Sequence, residues 1–367
     1  MQLKLQHWQL ALAALLGGLI VACSNPSAPT KSSDAAADAG ATTPTSSNET
    51  GKSWSSVTLP ANAYWQSVAY GDSIFVAIAS SYSSGAPTVA AYSTDGKTWS
   101  STTLPTNARW AYVTYGGGIF VAIAAEATNG DPTTTAAYSA DGKTWSSATL
   151  PTSAHWQSVI YGGDIFVAIA SSDSSGNETI AAYSTDGKNW SSETLPADAE
   201  WQSIAYGGGT FVAIPCADAS GATKIAAYSM DGKSWTQTTL PTGAFWQSVA
   251  YGEGTFAAIA YENSSGTMAE IAAYSTDGKN WSSATLPASA LWESIAYGGG
   301  TFVAIPYNDA SGATTVAAYS TDGKTWTQTA LPTKACWQSV AYGGGSFVAI
   351  AHTDSSFDTT TIAAISP

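Results

Sequence analysis

Arginine occurs once in this chain, at Arg109, and only 10% of the 367 residues are charged. Ordinary domains carry about 25%. Binding a phosphate backbone requires Lys and Arg to displace counterions, and a net charge of −14 with no basic stripe does not supply them. Nucleic acid is therefore not an expected partner. Cysteine is scarce as well, with three residues, Cys23, Cys216 and Cys336, too few for a disulfide-stapled scaffold. After residue 23 no stretch carries the 3.6-residue apolar period of a helix. With charge so sparse, the surface has to be built from Ser, Thr, Asn, Gln and Gly. Such a surface is usual in secreted proteins and suits neutral polar partners.

What the chain does have is repetition. The tract W-Q-S-V-A-Y-G begins at Trp65 and returns, slightly changed, at Trp110, Trp156, Trp201, Trp246, Trp292 and Trp337, a period of 45 or 46 residues. Each copy continues with F-V-A-I, A-A-Y-S and D-G-K-x-W, although the last stops at Ile365-Ser366-Pro367. A spare fourth segment, Gly51-Lys52-Ser53-Trp54, stands ahead of the first copy instead. A period of this length marks a solenoid, a propeller or an array. Alternating apolar residues cut by Gly-Gly and Asp-Gly predict four strands per copy, in the first copy Trp65–Tyr70, Ile74–Ala79, Thr88–Ser93 and Thr98–Leu104. Four antiparallel strands per repeat make one blade of a propeller. The expected fold is thus an all-β, seven-bladed β-propeller over residues 51–367, in which the N-terminal strand completes the last blade and removes an exposed edge. Cys216 and Cys336 would lie three blades apart, beyond the ~7 Å between Cα atoms that a disulfide spans, and are expected as free thiols.

Residues 1–22 combine Lys4 with the apolar run Leu10–Ala22, too short to span a bilayer as a mature helix. The following Ile20-Val21-Ala22-Cys23 resembles the lipobox of bacterial lipoproteins. That resemblance implies cleavage before Cys23, diacylation of its thiol and a lipid-anchored place in the bacterial envelope; Ser24 is compatible with the outer membrane of a Gram-negative cell. Residues 23–50, rich in Ser, Thr, Ala, Pro and Asp and free of aromatics, read as a tether.

The segment Ser93-Thr94-Asp95-Gly96-Lys97-Thr98-Trp99, repeated around Asp141, Asp186, Asp231, Asp277 and Asp322, resembles the Asp-box (BNR-like) repeat of sialidase-like propellers, one residue shorter than the common spacing. Its physical role is local: Asp-Gly makes a tight turn, the carboxylate accepts from turn amides and the Trp packs beneath. The resemblance extends to fold and hardly to activity. Sialidases hold a substrate carboxylate with three arginines, and one arginine does not build that clamp. Some photosystem assembly factors are similar seven-bladed Asp-box propellers, but their basic patch is absent here.

The copies disagree in one place. Before the Trp that opens each copy's first strand stand Tyr64, Arg109, His155, Glu200, Phe245, Leu291 and Cys336, seven residue types, while the preceding Ala never changes. The residue closing the second strand varies too: Ser80, Ala125, Ser171, Cys216, Tyr261, Tyr307 and His352. A hairpin whose turn centres on Asp72 pairs Tyr64 with Ser80, Gln66 with Ile78 and Val68 with Val76. The same count pairs Arg109 with Ala125, His155 with Ser171, Glu200 with Cys216, Phe245 with Tyr261, Leu291 with Tyr307 and Cys336 with His352. Both sets would ring one mouth of a central channel. The expectation is a monomeric, non-enzymatic binding protein without cofactor or metal. Its carbohydrate or protein ligand would be held by Tyr64, Arg109, His155, Glu200, Phe245, Leu291, Cys336, Tyr261, Tyr307 and His352. Two other readings remain open: a lectin with equivalent pockets between blades built from the repeated Trp, Tyr and Gln, and a hydrolase or lyase using Glu200, His155 and Tyr64.

Overall fold

The computed structural model describes residues 22–23, 49–80, 88–176 and 178–367. These residues form an all-β structure, with no helix among them, and the successive strands of each copy pair antiparallel. In the first copy the second strand, Ile74–Ser80, lies between the end of Ser55–Gly71 and the third strand, Val89–Ser93, with Ser100–Thr103 outermost. The later copies repeat this order.

The sequence pattern separates the fourth strand of one copy from the first of the next. At five junctions they instead form one continuous 17-residue strand: Ser55–Gly71, Ser146–Gly162, Thr236–Gly252, Ser282–Gly298 and Thr327–Gly343. The connecting L-P-x-x-A segment favours this, since Pro and the residue before it are biased to extended geometry. Its Leu and Ala are also pinned in the interior, Leu59, Leu150 and Ala154 among them. Two sheets result, of eighteen and seven strands, neither closed on itself.

Successive copies are joined by packing. Each apolar cluster draws on two neighbouring copies, and the one around Trp65, Phe75 and Trp99 also takes in Ala341, Val348, Ile350 and Ile365 of the last copy. The glycine ending each first strand lies against a Tyr ring of the next copy. A Cβ on Gly71 would sit 1.9 Å from Tyr115 Cγ, and one on Gly343 1.9 Å from Tyr70 Cγ. A third link is made by the repeated Ser. The Val113 amide donates to Ser67 Oγ at 3.0 Å, Val340 to Ser294 at 3.2 Å, and Val68 to Ser339 at 3.1 Å. These hydroxyls supply acceptors to amides on the inner edge of the first strands, the edge that does not pair within each copy's own hairpin.

The chain ends meet as well. Ser55–Thr58 pair with Ile365–Ile362, and the Gly51 amide donates to Ser366 Oγ at 2.8 Å. Gly187 makes the same bond to Ser184 within one copy, at 2.9 Å. The seventh turn is therefore assembled from residues 315 positions apart. In complete copies the turn carboxylate binds the turn amides, as expected from the sequence. Asp95 Oδ1 accepts from the Thr98 and Lys97 amides at 2.7 and 2.8 Å, and these bonds hold its carboxyl down to about 2. Trp99 Nε1 donates to the Gly96 carbonyl at 3.1 Å.

The hairpin register departs from the simple count. The turn is the two-residue Asp72–Ser73, both with positive φ (46° and 65°), where most other copies have Gly-Gly. Two left-handed residues match strand twist best, which is why glycine dominates there. Gly71 therefore faces Ile74 and Val68 faces Ala77, not Val76. A β-bulge at Gln66 then absorbs one residue, so Ser67 and not Gln66 faces Ile78, and Tyr64 meets Ser80 as expected. Five other copies show a second shift at the Trp. In those copies Arg109 faces Glu126 rather than Ala125, Phe245 faces Glu262 rather than Tyr261, and Cys336 faces Thr353 rather than His352. Around Leu291, Ala290 faces Asp309 and Trp292 faces Pro306, leaving Tyr307 in the bulge; His155 is bracketed similarly by Ala154–Asp173 and Trp156–Ala170. Bulges re-aim side chains, and these turn the residue after each Trp out of the hairpin.

Ala22–Cys23 form a two-residue strand parallel to Thr327–Gly343, with Cys23 opposite Val340. Residues 1–21 of the expected leader and 24–48 of the expected tether lie outside the described residues.

Candidate functional site

The variable residues fall at the ends of strands away from the Asp-Gly turns. Gly142, in one such turn, packs against Ile74 and Val76 at the start of a second strand, whereas Tyr64 and Ser80 pair at that hairpin's other end. Contacts among the variable residues run from copy to copy. Arg109 Nη1 donates to Glu126 Oε2, and His155 Nδ1 of the next copy lies 3.4 Å from Glu126 Oε1. Glu200 exchanges backbone bonds with Ala217 and Cys216. Burial pushes the Glu200 carboxyl up, and its charge, after burial, helps push up Glu178.

An aromatic arc follows. Tyr261 is buried, and its phenol is pushed up by burial first and then by the charge of Glu293. Tyr307 stacks toward His352 with ring centroids 6.2 Å apart, and His352 toward Tyr64 at 5.1 Å. His352 Nδ1 receives the Gln66 amide at 3.0 Å. Phe245 and Leu291 occupy the same strand position; Leu291 is buried. The arrangement thus joins Arg109 with His155, and Tyr307 with His352 and Tyr64.

It does not unite Glu200, His155 and Tyr64, the three residues of the hydrolase reading. Each takes different partners: Cys216 and Glu178, Glu126, and His352, respectively. Cys336 and His352 likewise face Thr353 and Gln66. Cys216 and Cys336 are free thiols, both pushed up by burial, which disfavours a reactive thiolate. Among the described residues, no three His, Cys, Asp or Glu side chains come together as metal ligands. The seven first-strand tryptophans, Trp65 and its counterparts, that equivalent lectin pockets would use are fully buried. A cavity of about 520 Å³ lies elsewhere, against Ser55, Thr58, Lys97 and Ser346, and holds none of the variable residues.

Sequence reasoning missed a second tier. The bulged residue after each Trp is Gln66, Ala111, Gln157, Gln202, Gln247, Glu293 and Gln338. Glu293 is fully buried and accepts from Gln247 Nε2 at 3.1 Å and from Gln338 Nε2 at 2.8 Å. Burial pushes its carboxyl well up, opposed by those two amides. The signal in the sequence is one Glu in a column of Gln, but its neighbours become apparent only once the bulge is located. Glu126 and Glu262 were missed for the same reason, since the second shift brings them into register.

No family model matches this chain, and no curated protein matches it. Among solved structures it is similar to the crystal structure of the computationally designed Ika8 protein, at 10% identity and a TM-score of 0.52, over 85% of this chain and 99% of that one. At that identity the likeness concerns chain path alone.

Proposed function

We propose that this chain is a seven-bladed β-propeller of the Asp-box kind, exported as a lipoprotein through Cys23, that binds one ligand at the mouth of its central channel without turning it over. The propeller reading is supported by packing that runs from each copy to the next and from Gly343 back to Tyr70. The binding reading rests on one observation. Copies that are nearly identical elsewhere differ at positions that touch one another across copies, through Arg109–Glu126–His155 and Tyr307–His352–Tyr64. Unlike groups around a ring orient a single ligand, with apolar surface on one side and polar groups on the other.

A glycan array run beside a pull-down from envelope extract identifies the ligand, and calorimetry then counts it. One ligand per ring is expected; seven would favour equivalent pockets. Buried polar contacts are worth ~1–3 kcal/mol, so Arg109→Ala and Glu200→Ala should each weaken binding roughly 5- to 150-fold. Lys97→Ala, in an Asp-Gly turn at the far end, should leave it unchanged. Equal losses at both ends would sink the mouth as the site.

The anchor is tested separately. Cys23→Ser removes the thiol that acylation needs, so the variant should appear without lipid and leave the membrane fraction. Mass spectrometry of the mature N-terminus decides; an unmodified Cys23 in the wild type rejects the anchor.

A further inference from the structure

Glu293 is a carboxylate in a position that five other copies fill with Gln, and its surroundings do not account for its charge. It is fully buried, and the groups that favour its ionised form are the amides of Gln247 and Gln338. Each of its oxygens takes one of these N–H donors, which leaves further lone pairs on both. Gln247 is itself fully buried, and with Nε2 committed to Glu293 its Oε1 has no hydrogen-bond partner among the described residues. A carboxylate and an orphan amide oxygen therefore sit side by side, both asking for donors. Among the described residues, the titratable groups that feel the charge of Glu293 are the phenols of Tyr261 and Tyr307 and the thiol of Cys216. All three are pushed up and stay uncharged near neutrality. Arg109, the single guanidinium, is engaged by Glu126.

Building on the mouth as a binding site, we propose that its ligand carries an organic ammonium group, which Glu293 and Gln247 Oε1 receive close to Tyr261 and Tyr307. An ammonium supplies what the site lacks: a positive charge and several N–H donors. Aromatic faces add to it, because the ring quadrupole attracts a desolvated cation. The net charge of −14 further raises the local concentration of cations. The ammonium belongs either to a small free amine or to a lysine side chain of a protein.

The test titrates the full chain with n-butylammonium, with an acetylated and amidated Gly-Lys-Gly peptide, and with butan-1-ol as the neutral control. At least one of the two amines should bind and the alcohol should not; amine alone indicates a small ligand, and peptide binding a protein-borne one. Glu293→Gln should weaken amine binding about 10- to 100-fold, the worth of a hydrogen bond to a charged group. It makes this copy match its sisters, so a preserved melting curve separates lost binding from lost folding. Because burial raises the Glu293 carboxyl, a cation has to displace its proton at low pH. Affinity should climb with pH, about tenfold per unit below that carboxyl's midpoint, then level off, with one proton released per ligand. The Glu293→Gln profile should be flat. Absence of binding by both amines, or equal binding by Glu293→Gln, overturns the proposal. An envelope ligand lost on Arg109→Ala but kept by Glu293→Gln would retain the mouth and reject the ammonium. One lost on neither would reject both.

Discussion

Gly343→Ala should lower the melting temperature by about 4–5 °C, and by as much as Gly207→Ala does in mid-chain. Neither glycine has a positive φ, so the cost is one of space. A Cβ on Gly207 would lie 2.0 Å from Tyr251 and one on Gly343 1.9 Å from Tyr70, well inside any carbon–carbon contact. Those Tyr rings cannot swing away freely. Tyr251 packs on Phe256 at 4.7 Å between centroids, and Tyr70 on Phe75 at 4.7 Å. Overpacking of this kind costs about 3 kcal/mol, from which the restricted unfolded chain returns about 0.5 kcal/mol. For an array of this size the remainder corresponds to the stated shift. The comparison has a second use. Gly343 touches the first copy only if the last and first copies are neighbours, so a harmless Gly343→Ala beside a damaging Gly207→Ala would mean the array is open in solution.

Deleting residues 51–60 should have a larger effect still. The segment buries Leu59, half-buries Trp54 and Val57, and supplies the Gly51 amide that closes the seventh turn on Ser366. At ~1.5–3 kcal/mol for each fully buried large side chain, discounted for partial exposure, the loss is roughly 3–6 kcal/mol. The deletion also leaves the backbone of Thr360–Ser366 as an open edge, which templates pairing with other molecules. Light scattering after size exclusion should show concentration-dependent aggregates, with a lowered melting temperature, and a synthetic 49–61 peptide should restore both. A deletion variant that stays monomeric and melts unchanged refutes the role assigned to this strand.

Much of this protein is legible in its sequence. Strand positions follow from alternation and punctuation, because a residue's face in a strand depends on the parity of its position. The meeting of the chain ends follows from counting, since the spare Gly51–Trp54 segment matches the gap after Ser366. The Asp95 bonds follow from the chemistry of Asp-Gly turns. The disagreement at Tyr64, Arg109 and their counterparts emerges from comparing the copies with one another.

Two things the tertiary structure alone decided. The first is register: Asp72–Ser73 forms a two-residue turn, and the bulge at Gln66 cancels the resulting shift, so the simple count is right at Tyr64 and wrong at Val68. No local pattern announces a bulge, because it arises where the strand must re-aim a side chain against its neighbours. The second is charge: Arg109 meets Glu126, Glu126 meets His155, and Glu293 lies between two glutamines from adjacent copies. Those partners are 17 to 46 residues apart in the chain and become neighbours only when strands pair and copies pack. Which buried carboxylate lacks a cation depends on that packing, and a sequence read one copy at a time does not contain it.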